Sequence, residues 1–430
     1  MRDVEVKVEH VTRVEGHGNI LLNAKNGKVH KVQWQVSEAP RFFEAMVVGR
    51  DYHQLSHITS RICGICSIGH SLASLKATES AMGVDISDQT LLLRKLALHA
   101  ENAQSHILHV GYLVAPDLFG VGSVFPLVAT HRDAVLTIVR LHRLANEMSD
   151  LLCGRTTHPI TLEVGGFTKI PTEEELTDLK ARLKSDIETT RALAGILLAN
   201  VDKLPRFARE TEYIGLTSDD EYALYDGLVG STDTGRHEVR DYRSIVNEYI
   251  VPQSTAKYAK HVRDSYMVGA LARFNLNSQQ LTPLAKEIAS QFALSAPCYN
   301  PFMNSIAQLV EVAHGIEDSI TIIDKLLGMG LREEKNEVEV KAGRGIGAVE
   351  VPRGILFHDY TIDGNGKCVK ANCVIPTNQN HANIQRDMEI FAPTLLDKGK
   401  EEIELDLEML VRAYDPCISC SAHCLKVEFR

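Results

Sequence analysis

Apolar and polar residues alternate through the first 36 positions, in VEVKVEH, NILLNAKNG and KVHKVQWQV, which is the two-residue period of a half-buried strand. Asn26-Gly27 separates two of these runs and suits a tight hairpin turn, so a β-hairpin or small antiparallel sheet is predicted over 1–36. From about Pro40 the period lengthens. RFFEAMVVGR reads as a short helix, and 59–82 as a longer one. Apolar residues recur at i, i+3, i+4 and i+7 across 88–114, 131–153, 172–203, 256–273, 281–294 and 303–328, so each is predicted to be a helix burying one face. Ser87-Asp88 and Pro171-Thr172-Glu173 supply N-terminal caps with acid in the first turn. HPITLEVGGFTKIP reads as an extended connection, and 205–250 shows no regular period. A second β segment spans 336–376, where Asp363-Gly364 and Asn365-Gly366 lie between ILFHDYTI and KCVKANCVIP as a hairpin turn. A last helix over 402–413 is stopped by Asp415-Pro416. The predicted class is α+β, predominantly α: a large helical-bundle core with a small N-terminal antiparallel sheet and a late β-hairpin. The parts are 1–36 (β), 37–335 (helical core), 336–400 (β-hairpin region), 401–423 (C-terminal helix and turn) and the tail 424–430, forming one unit.

Composition changes this picture little. Lys and Arg total 46 against 56 Asp and Glu, a net charge of −10, which argues against nucleic acid as a partner. No apolar run approaches the roughly 18–20 residues of a membrane-spanning helix. MRDVEVKVEHVTRVEGHG has no apolar signal-peptide core, so the cytoplasm is the expected compartment. Cytosolic thiols stay reduced, and the nine cysteines are too few for a disulfide scaffold. Cys63/Cys66 and Cys417/Cys420 form two CxxC pairs. Cys153, Cys298, Cys368, Cys373 and Cys424 follow no such spacing and read as small buried fillers.

Four thiolates from two CxxC pairs can converge on one metal, with zinc, an iron–sulfur site or a rarer metal all open on spacing alone. Zinc ribbons usually keep their pairs within about 15–20 intervening residues. Pairs at opposite ends of a long helical chain point instead to a buried, catalytic site. Gly343-Arg-Gly345-Ile-Gly347-Ala348 fits GxGxxA with Asp363 twenty residues on, but Pro352 and a strand-like run stand where a dinucleotide-binding fold needs a helix.

The flanking residues narrow the choice. The first pair reads Arg61-Ile-Cys63-Gly-Ile-Cys66-Ser-Ile-Gly-His70, the second Asp415-Pro-Cys417-Ile-Ser-Cys420-Ser-Ala-His423. On RxCGxCxxxH together with DPCxxCxxH, the chain resembles the large, catalytic subunit of nickel–iron hydrogenases. Arg13-Val-Glu15-Gly-His17, Phe42-Phe43-Glu44, Gly154-Arg155…His158-Pro159 and Val351-Pro352-Arg353-Gly354 extend the resemblance over nearly the whole chain, with 205–250 its least matched part. The missing signal peptide and NQNHANIQRD at 378–387 look most like the cytoplasmic, multimeric, cofactor-coupled (group 3) branch.

The resemblance implies that fold and the reversible oxidation of dihydrogen. All four cysteines would hold nickel, Cys63 and Cys417 as terminal ligands, while Cys66 and Cys420 bridge to an iron carrying carbon monoxide and two cyanides. Soft thiolates and strong-field diatomic ligands suit such a pair of metals. His70 would donate a hydrogen bond to a cysteine sulfur. Glu15 would relay the proton taken first by Cys417. Arg353 would hang over the open bridging position, paired with Asp117 and Asp415. Pro352 and Leu356 would line the pocket, and Ile375 and Thr377 would surround the diatomic ligands. Glu44, His423 and the backbone carbonyl of Cys373 would hold a second ion, magnesium or iron. His99, His106 and His109 read as core or pathway histidines, since relatives carry histidines here without using them as ligands.

The implied partners are a small subunit with iron–sulfur clusters, further flavin or electron-transfer subunits, a maturation protease and a nickel chaperone. The seven residues after His423 match the propeptide that the family removes once nickel is in place. An unprocessed, metal-free chain is then expected to hold its C-terminal segment away from Cys63/Cys66, leaving Glu44 without His423. Two other readings are a non-catalytic relative, like the quinone-site subunit of complex I, and a structural zinc protein. Elemental analysis separates the three.

Overall fold

The alternating N-terminal residues form β1 (Val4–Val8), β2 (Gly18–Lys25) and β3 (Lys28–Val36), an antiparallel sheet in that order in the computed structural model, which describes residues 3–334 and 338–422. Val4, Val6 and Val8 point inward while Glu5 and Lys7 point out. Asn26 and Gly27 both take positive φ, as the predicted tight turn needs.

The helical core comprises α1 (Ser67–Met82), α2 (Asp88–Leu108), α3 (Arg132–Cys153), α4 (Glu173–Ser185), α5 (Ile187–Leu198), α6 (Ala270–Asn277), α7 (Pro283–Gln291), α8 (Asn304–Met329), α9 (Pro376–Phe391) and α10 (Lys400–Ala413). Both predicted caps form: Ser87 Oγ accepts the Thr90 N–H at 3.0 Å, and Thr172 closes a capping box with Glu175. The helix expected over 172–203 is two, broken at Asp186, whose carboxylate turns back onto Thr189 Oγ1 (2.8 Å). α2 runs on through a π-helical segment, His109–Val114.

Three further segments differ from the sequence reading. The helix expected over 256–273 begins only at Ala270, because Tyr266–Met267 is drawn into a sheet. That sheet takes up much of 205–250: β4 (Glu212–Thr217), β5 (Leu228–Ser231) and β6 (Gly235–His237), with β7 (Tyr266–Met267) on the other edge of β4. Every residue of β4 is buried, so no alternation betrays it. The late β segment has three antiparallel strands rather than one hairpin: β8 (Gly343–Val351), β9 (Gly354–Ile362) and β10 (Cys368–Val374). The predicted turn at 363–366 joins β9 to β10. A second turn, Pro352-Arg353, joins β8 to β9.

The glycines of β8 explain why no helix follows them. A Cβ on Gly343, Gly345 or Gly347 would stand 2.1, 2.1 or 2.2 Å from the carbonyl oxygens of Ala81, Ala77 and Ala73. Gly-x-Gly-x-Gly therefore lies directly on the alanine stripe of α1, one strand face against one helix face. This contact fixes the Arg353 turn relative to the helix that follows Cys66.

Candidate metal centre

Cys63 leaves the short turn Ser60–Ile62, and Cys66 sits at the N-terminal cap of α1. The N–H groups of Ile65 and Cys66 both donate to Cys63 Sγ at 3.2 Å. At the other end of the chain, Asp415 takes a positive φ and aims Cys417 inward. The N–H of Cys417 donates to Thr377 Oγ1 at 3.1 Å. Cys420 follows in the short helix Ile418–Ser421.

The four sulfurs meet. Cys63 Sγ lies 3.4 Å from Cys417 Sγ, although 354 residues separate them, and the sulfurs of Cys63, Cys66 and Cys420 fall within 4.8 Å of one another. Cys417 and Cys420 are joined as a disulfide, which must open before both can serve as ligands. All four are at most 4% exposed. Four soft donors in a dry site fit a soft or borderline metal with thiolate preference. Burial opposes charge on Cys63, but its hydrogen bond with Cys66 and the Arg353 charge outweigh it and hold the thiol below its ordinary range. The same hydrogen bond, with burial, pushes Cys66 well up.

The C-terminal segment is not held away from the first pair, as expected of an unprocessed chain, but docked on it. Arg41 donates to the carbonyls of Ile62 (2.6 Å) and Ser419 (2.5 Å), its N–H reaches Ala422 O (3.1 Å), and Asn378 Nδ2 reaches Ser421 O (3.1 Å). His423 and 424–430 lie outside the described residues.

Glu15 lies beside the second pair. It forms a parallel bridge with Cys417, and its carbonyl accepts the Ile418 N–H at 2.9 Å. Cys417 Sγ lies 3.2 Å from Glu15 Oε2, the Ser419 N–H donates to the same oxygen at 3.1 Å, and the Ser419 hydroxyl binds Oε1. The next residue, Gly16, has φ +83°, and a Cβ there would meet Ser419 N at 2.8 Å, so close passage of the two segments requires glycine.

Arg353 stands at the tip of the β8–β9 hairpin, 3% exposed. Its Nε donates to Asp415 O (2.6 Å), one Nη to Asp415 Oδ1 (2.7 Å) and the other to Ser105 Oγ (3.2 Å). Burial works against its charge, yet Asp415, Cys63 and Cys66 outweigh it and push the guanidinium up. Asp117, expected as a second partner, is placed elsewhere: its carboxylate is held by Arg13 and by Arg412 (2.8 and 3.1 Å). The Ser105 hydroxyl takes the position the sequence reading gave to Asp117. Arg412 also donates to Thr12 O at 2.9 Å, so the Asp117 cluster clasps the two segments that cross at Glu15 and Cys417.

The remaining candidates fall around this core. Pro352, Leu356, Ile375 and Thr377 are buried. Glu44 Oε1 accepts the Cys373 N–H at 2.7 Å. His70 is buried in the first turn of α1, its N–H on Cys66 O (3.1 Å) and its Nδ1 3.2 Å from His358 Nε2. His99 and His106 of α2 and His109 of the π-helical segment go to separate partners on α8: His109 Nδ1 with Gln308 (2.6 Å), His106 with Glu311 (2.7 Å) and His99 with Asp318 (2.8 Å).

Two residues were missed. Glu101 on α2 accepts the N–H groups of Ile68 (2.6 Å) and Gly69 (3.0 Å), capping α1 just past Cys66. Burial pushes its carboxyl well above the usual range although the Gly69 N–H pulls the other way. Gln308 Nε2 donates to Asp415 Oδ2 at 2.9 Å and so steadies the Arg353 partner. The only signal for Glu101 was an acid on an inward helical face. Gln308 gave none.

A profile of the nickel-dependent hydrogenase family matches residues 41–131 and 251–423, and a HoxL-like profile matches 5–39. The alpha chain of sulfhydrogenase 2 from Pyrococcus furiosus is 33% identical over 98% of this chain and 100% of its own length. A chain of the vhc F420-non-reducing hydrogenase from Methanococcus voltae is 30% identical over 99% of this chain and 96% of its own. Among solved structures, an NAD+-reducing [NiFe]-hydrogenase in the H2-reduced state superposes with a TM-score of 0.87 at 26% identity, covering 98% of this chain and 100% of that one.

Proposed function

The chain belongs to the nickel-dependent hydrogenase family, and on that premise we propose that it is the large subunit in which dihydrogen is reversibly oxidised to protons and electrons at a nickel–iron centre held by Cys63, Cys66, Cys417 and Cys420. The observation that carries this reading is the 3.2 Å contact of Cys417 Sγ with Glu15 Oε2 beside the four converging sulfurs. Bound there, the metal pair supplies the redox and polarising chemistry that splits dihydrogen heterolytically. Cys63, Cys66, Cys417 and Cys420 would together hold the metal pair through their sulfurs.

Cys417 Sγ is the protein atom that first holds the proton, and the Glu15 carboxylate accepts it. Ser419 fixes both Glu15 oxygens, through its N–H and its hydroxyl, so the acceptor is aimed before the reaction. Arg353 brings a fixed positive charge to the pocket, immobilised by Asp415 and Ser105, so no reorganisation is needed when charge develops. Thr377 Oγ1 already accepts from Cys417 N–H, which leaves the hydroxyl hydrogen free to donate to a cyanide on iron. Pro352, Leu356 and Ile375 close the pocket around the diatomic ligands. Glu44, the Cys373 carbonyl and His423 would hold the second ion, magnesium or iron.

The other cysteines follow no cluster spacing, which supports electron transfer to a small subunit carrying iron–sulfur clusters. The NAD+-reducing hydrogenase it is similar to supports coupling to a further electron acceptor, and further flavin or electron-transfer subunits and a cytoplasmic setting belong to the same proposal. No helix among the described residues is long and apolar enough to cross a membrane. A nickel chaperone loads the site, and a maturation protease cuts after His423.

Glu15→Gln tests the proton route. Nickel and iron contents should stay at wild-type levels while turnover with an electron acceptor falls by about 10²–10⁴-fold. Para/ortho-hydrogen conversion, which needs no long proton exit, should fall far less. Equal loss of both activities removes Glu15 from the relay, and full hydrogen uptake by Cys420→Ser removes the ligand set. Infrared bands of carbon monoxide and cyanide test the iron ligands directly.

A further inference from the structure

α2 and α8 meet away from the cysteine centre at His99, and the surroundings of that ring differ from those of its two neighbours. We propose that His99, His314 and Asp318 form a second metal site, for a divalent cation of the zinc class.

One ligand atom from each of the three lies within 4.8 Å of the others. His314 and Asp318 stand one turn apart on α8, on the same face, and His99 comes from α2 opposite. Imidazole and carboxylate are donors that zinc takes from proteins, and three protein ligands with an open fourth position is an established arrangement. Both rings are at most 5% exposed, whereas the Asp318 side chain is 36% exposed, so the fourth position can reach water and the ion can enter.

The charge states also fit. Burial pushes the His314 ring down to about 4, so it is a neutral ligand near pH 7. Burial works against charge on Asp318, but other interactions, the hydrogen bond with His99 foremost, hold its carboxyl well below the usual range. His314 Nδ1 accepts the Thr282 N–H at 3.3 Å, which leaves Nε2 to ligate.

His99 Nε2 faces Asp318 Oδ2 at 2.8 Å. A cation entering between them takes the Nε2 lone pair, and the neutral ring then carries its hydrogen on Nδ1. That hydrogen has somewhere to go. His99 and Ser319 line a cavity of about 20 Å3, enough for one water, and Ser319 Oγ is buried with no hydrogen-bond partner among the described residues. Room for the ring is made by Gly315, in the interior of α8, where a Cβ would stand 3.3 Å from His99 Nδ1. The site is separate from the cysteines: Ser105, which touches Arg353, is six residues further along α2, about 9 Å at 1.5 Å per residue.

The test uses the assembled, nickel-loaded enzyme, dialysed against EDTA and titrated with Zn2+, and in parallel with Co2+. Wild type should take up one zinc per large subunit beyond its resident metals, and cobalt should give the visible absorption of a tetrahedral site. Asp318→Asn and His314→Ala should each weaken that uptake at least tenfold while nickel content and carbon monoxide and cyanide infrared bands stay unchanged. Asp318→Asn is nearly isosteric and partly exposed, so it keeps the test open if His314→Ala folds poorly. No additional equivalent in wild type, or equal uptake in wild type and Asp318→Asn, would mean a hydrogen-bonded His99–Asp318 pair and nothing more.

Discussion

Gly345→Ala adds one methyl group where β8 lies on α1. Its Cβ would stand 2.1 Å from Ala77 O and 2.2 Å from Ala81 N, where ordinary contact begins at 3.4 Å. Strand and helix must therefore part locally by a little over 1 Å. Overpacking of this kind costs about 1–3 kcal/mol, and the upper end applies because the obstacle is helix backbone rather than a side chain that can swing away. The displacement is carried along β8 to its tip, since Val351 rests on Gly69, where a Cβ would meet Val351 Cγ1 at 2.1 Å. Arg353 lies two residues beyond. A shift of about 1 Å in a catalytic group costs on the order of 10²-fold in rate. Gly345→Ala should therefore melt several degrees low and turn over hydrogen about a hundredfold more slowly, with nickel still bound. Gly364→Ala is the control, in the β9–β10 turn, where a Cβ meets nothing within 4 Å; it should stay within about 0.5 kcal/mol of wild type. Matching melting temperatures and dye-reduction rates for the two variants would show that the glycine stripe does not position Arg353.

Asp117→Asn leaves Arg13 and the buried Arg412 around a neutral group, and should cost about 3–5 kcal/mol in denaturant unfolding; a loss below about 1 kcal/mol would mean that the clasp is dispensable. Burial pushes His381 down to about 3 from 6.5, so the ring is neutral in the fold and the unfolded chain binds the extra proton between those values. Its stabilising contribution is complete above pH 6.5 and is lost as pH falls towards 3, so His381→Gln should flatten the decline in melting temperature between pH 7 and 5, and an unchanged slope would refute it. Mature, active enzyme should end at His423; an intact mass retaining Cys424 to Arg430 alongside full nickel and activity would contradict this.

Where the sequence was readable, a local period or a named motif carried the information. Strands β1 and β2 alternate because one face is wet, and α3 and α4 repeat at 3.6 because each buries a stripe. β4 and the start of α9 are buried on all sides, and a polar run such as Asn378 to Asn383 then has no outward face to mark it as a helix. The four cysteines, Glu15 and Arg353 could be named because their neighbours are distinctive. Their partners could not, since Asp117 and Ser105 are told apart only by where α2 runs after its π-helical turn. Asp117 is the more conspicuous residue in the sequence, yet the arginine at the pocket reaches the serine.

The meeting of Cys63 with Cys417 also sets a clock on synthesis. At about 5–20 residues per second, a ribosome needs roughly 20–70 s to travel the 354 residues between them. Through that interval Cys63 and Cys66 are an unaccompanied dithiol on a nascent chain, able to capture stray copper or zinc or to oxidise. Joining distant residues costs the finished fold little, because loop closure rises only with the logarithm of length. The hazard is one of time, and it grows whenever translation slows. Guarding the half-built pair is thus a task for whatever escorts the chain off the ribosome, before any nickel arrives.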